Sequence, residues 1–319
     1  MIKNILYKIK NKILYYFRFI RNRPMRTSYG ARNPDKLFYV IGISFNTEGL
    51  FAIVKSVLSH IIYAREKGYI PVVNMRDFSN QYIEAGQEGI QNSWELFFEQ
   101  PMGYRLEDIE ECKNIIMSRN NLVPSSRYGI YVKMLEDKRK FSKLSSYYTQ
   151  YIRFNGATKK FLEEEKRRLL NGYTTLGILC RGTDYIQKKP SGHPVQPNPE
   201  DVVHKAEAIY SQLKYDKIYL ATEDQKIYNL FKKRFGDTVI TNGQNLYDNI
   251  DSIQFLSEIK GLRKREEYEK GIEYLSSVYI LSECDYFIGG RTAGTLGVYF
   301  MSKGFKYNFL WNLGYYPFK

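Results

Sequence analysis

TTLGILCRGTDY, residues 174–185, passes from a largely apolar run directly into a polar turn. Its first seven residues form a short, nearly continuous apolar run, which is typical of a strand that is buried on both faces of a parallel sheet. Arg181, Gly182 and Asp184 stand where that strand ends. Ligands of open α/β sheets bind beyond the carboxyl ends of the strands. The stretch therefore predicts an α/β fold with a binding site in the turn.

Strand and helix patterns alternate on both sides of this stretch. Downstream, KIYLAT (217–222) and DYFIGG (285–290) predict strands, and each is followed by a helical pattern. Upstream, residues 37–43 and 69–75 predict strands that flank a helix over residues 50–66. This order builds parallel sheets that are covered by helices.

The two series meet near residue 170. We predict a first Rossmann-like domain over residues 27–170, on the acceptor side, and a second over residues 171–319, which binds a nucleotide sugar. The two domains are expected to face a central cleft, with ligands at the carboxyl ends of the strands.

Charge is concentrated at the N-terminus. The net charge is +14, and eight of the 48 basic residues but none of the 34 acidic ones lie in residues 1–26. The other 293 residues carry a net charge of only +6, which argues against a nucleic-acid-binding body. A mildly basic body suits an enzyme that handles anionic nucleotides.

The segment 1–26 combines apolar residues at helical spacing with these basic residues. Lys8, Lys10 and Lys12 interrupt the apolar run, so it is too short and too charged to span a bilayer. We predict a basic amphipathic helix that lies on an anionic membrane surface, with the chain cytoplasmic and peripheral on the inner face of the membrane. The alternative is a helix that packs on its own protein or on a partner. The three cysteines are far apart, which indicates a reducing compartment and no metal site.

Two further strand ends are polar. Thr222, Glu223 and Asp224 follow the second strand of the C-terminal half, and the glycine-rich GGRTAGTLG (289–297) follows the third. Glycines allow close approach of a ligand, and the amides at a helix N-terminus attract phosphate. The loop lacks the GxGxxG fingerprint and the P-loop signature, so it does not indicate a dinucleotide or ATP.

Each polar end also has a structural interpretation. Arg181 can bind phosphate oxygens with two N–H groups and stabilise a departing diphosphate, or it can form a structural ion pair. Asp184 can orient Arg181 or accept a proton. Thr222 followed by two acidic residues is also an ordinary helix N-cap.

These same stretches carry a family resemblance. GILCRGTDY resembles the HxRRxD-type stretch of the fucosyltransferase superfamily, which includes α1,6-fucosyltransferases and protein O-fucosyltransferases. YLATED and LSECDYFIGGRTAGTLGVYFM resemble its second and third blocks in the same order, and the match covers roughly residues 177–301. The chain is also similar to bacterial members found among surface-polysaccharide enzymes.

The resemblance implies a GT-B-like fold, transfer from a GDP-sugar with inversion, and no cofactor or obligatory metal. It implies that Arg181 contacts the donor diphosphate and assists its departure, and that Asp184 belongs to the catalytic motif. Further donor-binding positions are implied at the second and third blocks: Thr222, Glu223, Asp224, Thr292, Gly294 and Thr295.

The chain departs from the family pattern at several positions. Gly182 replaces the second arginine of the motif, and Leu179 replaces its histidine. Ser277 stands where relatives carry an aspartate that reads guanine, and Glu273 one turn earlier is a candidate substitute. Lys189 stands at the position of the proposed catalytic carboxylate.

The general base is therefore open between Asp184 and Glu48, because attack by a hydroxyl needs a carboxylate within hydrogen-bond reach. Glu48 can instead cap the helix that begins near residue 50. Asn46 and His193 are candidate contacts for the acceptor or a phosphate.

The sequence as a whole predicts an inverting glycosyltransferase. This enzyme is expected to move fucose or a related sugar from a GDP-sugar to a hydroxyl of a saccharide acceptor, in surface polysaccharide or lipopolysaccharide synthesis. One form of the hypothesis has a lipid-linked saccharide as the acceptor. The alternatives are a UDP- or CMP-sugar donor, suggested by Ser277, and a non-catalytic basic protein that binds a membrane surface or nucleic acid.

Overall fold

The computed structural model describes residues 23–118, 121–182, 189–248 and 265–317. These residues divide into two compact units. Unit 1 holds the described residues up to Asn46, together with Ile53–Met134 and Lys138–Asn155. Unit 2 holds Thr47–Ala52, Leu135–Asp137 and the described residues from Gly156 onwards.

The described residues of the first part of the chain form four strands and three α-helices. They are β1 (Met25–Thr27), β2 (Phe38–Gly42), α1 (Leu50–Glu66), β3 (Ile70–Asn74), α2 (Leu106–Ile109), β4 (Ile115–Met117) and α3 (Lys138–Tyr151). Short 3-10 helices occupy Ser93–Leu96, Ser126–Tyr128 and Val132–Glu136. The helix predicted over residues 50–66 is confirmed.

The strands of unit 1 form a sheet in the order β1-β4-β2-β3. β2 pairs in parallel with β3 and β4, and β1 adds an antiparallel edge strand. Every residue of β2 is buried, as expected for a central strand covered on both faces.

Met25 and Arg26 belong to β1, where Met25 pairs with Met117 of β4. The sequence-based prediction had extended the N-terminal helix to residue 26, and the structure corrects that end. Pro24 has no amide hydrogen and cannot continue a helix, so the backbone is free to pair with β4 instead. Residues 1–22, on which the rest of the prediction falls, lie outside the described residues. Among the described helices, none is long and apolar enough to cross a membrane.

The second part contains five strands and five α-helices in the described residues. They are α4 (Gly156–Leu170), β5 (Thr175–Leu179), α5 (Pro199–Leu213), β6 (Lys217–Ala221), α6 (Gln225–Phe235), β7 (Val239–Ile240), α7 (Glu266–Ser282), β8 (Tyr286–Gly289), α8 (Ala293–Met301) and β9 (Tyr307–Leu310). Asn198 caps α5 by accepting from the amide of Glu200, with Pro199 in the first turn.

The five strands of unit 2 are all parallel, in the order β7-β6-β5-β8-β9. From β5 the chain proceeds outward through β6 and β7, and it then continues on the other side of β5 with β8 and β9. The core on one face joins β5, β6 and β8 to α5 and α6 through apolar side chains such as Ile178, Ile209 and Phe231.

The division between the units lies at residues 155 and 156, whereas the sequence predicted it at residue 170. The reason is that α4 packs on α7. The hydroxyl of Tyr279 donates to Glu163 at 2.7 Å, and Lys166 lies 2.5 Å from Glu283. Leu162 and Leu169 of α4 are buried, so this helix has an apolar face that packs although its other face is charged.

A histidine in the core of unit 1 is buried without charge. His60 of α1 is fully buried, and its Nδ1 lies 2.9 Å from the hydroxyl of Tyr39 in β2. Burial lowers the pKa of His60 from about 6.5 to about 4, because the imidazolium is poorly solvated there.

We expect this histidine to make stability depend on pH. Between pH 4 and pH 6.5 the unfolded chain binds a proton at His60 and the folded chain does not, so the free energy of unfolding rises with pH across that window. The contribution is complete above pH 6.5, and acidification to pH 4 removes on the order of 3 kcal/mol. Urea denaturation of wild type and His60→Gln at pH 5.0 and pH 7.5 measures it.

The His60→Gln variant should be less stable at both pH values but should lose less stability on acidification than wild type. His204→Gln is the matched control, because His204 is exposed. An equal loss in wild type and His60→Gln would refute the assignment.

Candidate active site

The three polar strand ends of unit 2 lie at one edge of its sheet. β6, β5 and β8 are adjacent and parallel, and Leu179 of β5 is in register with Ala221 of β6 and with Gly289 of β8. The turns after residues 179, 221 and 289 therefore leave the sheet side by side. The border between β5 and β8 is the topological switch point, where open α/β sheets bind ligands.

Arg181 is held by Glu223. Its Nε lies 3.1 Å from Glu223 Oε1, and the backbone amide of Gly182 donates to the same oxygen at 3.3 Å. The two side chains are only 19% and 13% exposed, so the ion pair is more strongly oriented than one on the open surface. Arg181 thus forms an ion pair whose partner is Glu223. Asp184, which the sequence proposed for that role, lies outside the described residues.

The remaining residues after β6 shape the turn. The Asp224 carboxylate accepts from the amides of Lys226 and Ile227 at 2.8 and 3.2 Å and so caps α6. The buried Thr222 hydroxyl accepts from the amide of Asp224 at 3.2 Å. The capping interpretation is therefore confirmed for this turn, and Glu223 is the acidic residue that meets Arg181.

The loop after β8 is closed by two threonine hydroxyls. Thr292 and Thr295 form a reciprocal capping box at the start of α8, each hydroxyl accepting from the other residue's amide at 3.1 Å. Thr295 also donates to the carbonyl of Gly290 at 2.6 Å. Both threonines are buried, as is Gly294 in the first turn of the helix. The hydroxyls hold the loop in shape, and the positive end of the helix dipole points out of it.

Ser277 of α7 is bonded to the segment after β7. Its hydroxyl donates to Oε1 of Gln244 and accepts from Nδ2 of Asn242 at 3.1 Å. The same Asn242 nitrogen donates to the carbonyl oxygen of Glu273 at 2.9 Å. Ser277 is 3% exposed, so its hydroxyl bonds to other protein groups and not to solvent.

Sequence reasoning missed Asn242 and Gln244. The side-chain amide of Gln244 also donates to the carbonyl of Thr222, which joins the segments after β6 and β7. The signal was present, because TNGQN (241–245) is a fourth polar stretch directly after a strand.

The structure assigns Asn46 and Glu48, two candidate site residues after β2, to different units. Asn46 belongs to unit 1, where it accepts from the hydroxyl of Ser79 at 2.9 Å. Glu48 is grouped with unit 2, and its carboxylate accepts from the amide and the hydroxyl of Thr47, each at 3.4 Å. His193 is exposed, and its backbone bonds to Pro190 and Tyr316.

A second arginine stands at the switch point. Arg291 follows β8, its side chain is 13% exposed, and its Nη1 lies 2.7 Å from Glu136. Arg291 is not among the site residues that the sequence predicts. Its position two residues beyond a strand end, like that of Arg181, was the available signal.

The thiol next to Arg181 is buried. Cys180 is fully buried, and burial together with the charges of Glu223 and Asp224 raises its pKa far above the ordinary value. A thiolate nucleophile at this site is therefore disfavoured. No group of three potential metal ligands occurs among the described His, Cys, Asp and Glu side chains.

Unit 1 has a concave feature of its own. A cavity of about 350 Å³ is lined by apolar side chains and by Tyr29, Asn74, Arg76, Asp77 and Glu110. Arg76 lies 3.0 Å from Asp77 and 3.8 Å from Glu110, so these two carboxylates offset its positive charge. The lining therefore favours a neutral or cationic ligand over an anionic one.

Similarity to known proteins is found in the fold and not in the amino-acid sequence. No protein-family model and no curated protein matches the amino-acid sequence. Solved structures do match. POFUT1 in complex with GDP-fucose has a TM-score of 0.51 over 88% of this chain and 99% of its own, at 7% identity. POFUT1 in complex with GDP also has a TM-score of 0.51, over 86% of this chain and 98% of its own, at 8% identity.

The chain has the fold of the POFUT1 structures. The predicted fold class, α/β of the GT-B type with two Rossmann-like units, is thereby confirmed. The fucosyltransferase NodZ from Bradyrhizobium also matches, with a TM-score of 0.49 over 84% of this chain and 94% of its own, at 15% identity.

The turn after β5 leaves no room for a side chain at Gly182. A Cβ there would overlap the Asp224 carboxylate and stand 2.7 Å from Asp224 Cβ, which the cap holds in place. We expect Gly182→Ala to lower the free energy of unfolding by about 1–3 kcal/mol, because the cap or the Arg181 turn must shift. Urea denaturation measures the change.

Gly156→Ala is the matched control. Gly156 begins α4 in the same unit, and a Cβ there meets nothing within 4 Å. That variant should be as stable as wild type or slightly more so. Wild-type stability in Gly182→Ala would contradict the predicted clash.

Proposed function

We propose that the protein is an inverting glycosyltransferase that moves fucose or a related sugar from a GDP-sugar to a hydroxyl of a saccharide. One observation carries the proposal. Arg181, oriented by Glu223, follows β5 at the switch point of a parallel sheet, and the neighbouring strand β8 leads into the start of α8. This pairs a fixed positive charge with a helix N-terminus, a combination suited to a diphosphate.

The proposed chemistry needs little beyond positioning and charge. The acceptor oxygen attacks the anomeric carbon from the face opposite the phosphate, and the bond from that carbon to the β-phosphate oxygen breaks. The nucleoside diphosphate leaves with the bonding electrons, and Arg181 together with the dipole of α8 stabilises its growing negative charge.

The acceptor proton must pass to a carboxylate within hydrogen-bond reach. Glu48 and Asp184 remain the two proposed bases. Individual substitution of Glu48 and Asp184 by the corresponding amides tests them, because loss of the base should lower kcat and leave nucleotide binding intact.

The fold supports this proposal. The POFUT1 structures that share it contain GDP-fucose or GDP, and NodZ has been crystallised with GDP as well. The preference for a guanine nucleotide comes from this likeness and from the sequence resemblance.

A different donor nucleotide is the second candidate, and Ser277 favours it. Its hydroxyl is bonded to Asn242 and Gln244. Serine has no carboxylate, so this position lacks the group that reads guanine in the family pattern. A UDP- or CMP-sugar is therefore the alternative donor.

Calorimetric titration of GDP, UDP and CDP into the protein, with EDTA present, tests both candidates. We expect GDP to bind and Arg181→Ala to weaken it at least tenfold, because the variant loses the charged contact to the diphosphate. Arg234→Ala is the matched control. Arg234 is an ion-paired arginine in the last turn of α6, which belongs to the same unit.

The outcomes separate the candidates. Binding of UDP or CDP in place of GDP would transfer the proposal to the other donor class. If a folded protein bound none of the three, the donor site would be refuted, and a non-catalytic membrane-surface or nucleic-acid-binding role would replace it.

We also propose that the enzyme works at the cytoplasmic face of a membrane on a lipid-linked saccharide, in surface polysaccharide or lipopolysaccharide synthesis. The support is the leader, residues 1–22, with six basic and no acidic residues. A segment of this kind gains about 1 kcal/mol per basic residue near an anionic surface.

Flotation with vesicles measures this attachment. We expect the protein to float with phosphatidylglycerol vesicles and to float less at high salt. With vesicles of phosphatidylcholine, which carry no net charge, it should not float. Replacing Lys3, Lys8, Lys10 and Lys12 by glutamate should abolish flotation. The matched control replaces the exposed lysines Lys133, Lys138, Lys140 and Lys143 by glutamate. Equal losses in the two variants would show that the leader is not the anchor.

A further inference from the structure

Arg291 occupies the same position on β8 as Arg181 does on β5. Leu179 and Gly289 are register partners in the parallel sheet, and each arginine follows its partner by two residues. Neighbouring strands lie about 4.8 Å apart, so the two backbones leave the sheet next to each other. The switch point thus carries two arginines, one on each side.

Arg291 is buried beyond what its ion pair explains. Its partner Glu136 is 56% exposed, and pairs with such an exposed partner contribute little to stability. The guanidinium Nε is buried and has no hydrogen-bond partner among the residues that the structure describes. A buried donor in this condition costs free energy, so the fold alone gives no reason to place it here.

A buried acceptor lies against the loop of Arg291, on the segment that precedes α5. Gln196 is 6% exposed, and its Nε2 donates to the carbonyls of Pro194 and Arg291 at 3.0 and 3.2 Å. Its Oε1 lies against Gly290, where a Cβ would overlap it, and within the described part of the chain it has no hydrogen-bond partner. Unsatisfied polar atoms are rare in native proteins and call for an explanation, which a bound ligand can supply.

We propose that Arg291 is the second diphosphate-binding residue of this site and that Gln196 positions its loop. This rests on the proposed function, since it assigns a further residue to the same donor site. Two guanidinium groups on neighbouring strand ends can bind the two phosphates separately. Arg291 thereby supplies the charge that the motif lacks at Gly182.

Titration of GDP and GMP into wild type, Arg291→Gln and Arg181→Ala tests the proposal. GMP lacks the β-phosphate, so the ratio of the two affinities reports the contacts to that group. We expect Arg291→Gln to weaken GDP binding at least tenfold and GMP binding much less. A purely structural role would not change this ratio.

Glu136→Gln is the control for the ion pair, since it removes the partner of Arg291 and leaves the arginine. It should keep a GDP-to-GMP affinity ratio well above that of Arg291→Gln. Thermal melting of each variant verifies that it is folded.

The failures are distinguishable. If wild type binds GDP, Arg181→Ala loses it and Arg291→Gln keeps the wild-type ratio, this inference is wrong and the proposed function stands. If GDP and GMP binding fall equally in Arg291→Gln, the residue only supports the loop, and the inference is likewise refuted. If wild type binds neither nucleotide, the proposed function fails and takes the inference with it.

Discussion

The parallel pairing of β5 with both of its neighbours is the constraint on which the site depends. All five residues of β5 are buried, and the strand is in register with β6 on one side and β8 on the other. Because all three strands run in the same direction, the turns that follow them leave the sheet along one edge. The register of these strands brings residues that are far apart in the chain, such as Arg181, Glu223 and Arg291, to that edge.

The polar residues at this edge divide into two groups with different tasks. Asp224, Thr292 and Thr295 satisfy backbone amides at helix starts and so determine the shape of the turns. Arg181 and Arg291 carry charge, and each is oriented by a carboxylate. The division has a physical reason. A short oxygen side chain can reach the amides of its own turn, whereas a guanidinium has no acceptor and needs an anion from elsewhere.

Local patterns predicted the elements well where one physical signal dominated. The bounds of α1 and the buried strands β5 and β6 follow from apolar runs and helical periodicity. The short strands β1, β4 and β9 were not predicted. Each has only three or four residues, and its pairing depends on a partner distant in sequence.

The fold class and the three polar strand ends follow from local patterns, because the apolar periodicity and the turn residues that specify them lie close together in the chain. Tertiary structure decided that Glu223 orients Arg181, that α4 belongs to unit 2, and that Arg291 stands level with Arg181. Each of these facts depends on strand order and register or on helix packing. These arise from contacts between segments tens of residues apart, and no local pattern encodes which partner a charged side chain meets.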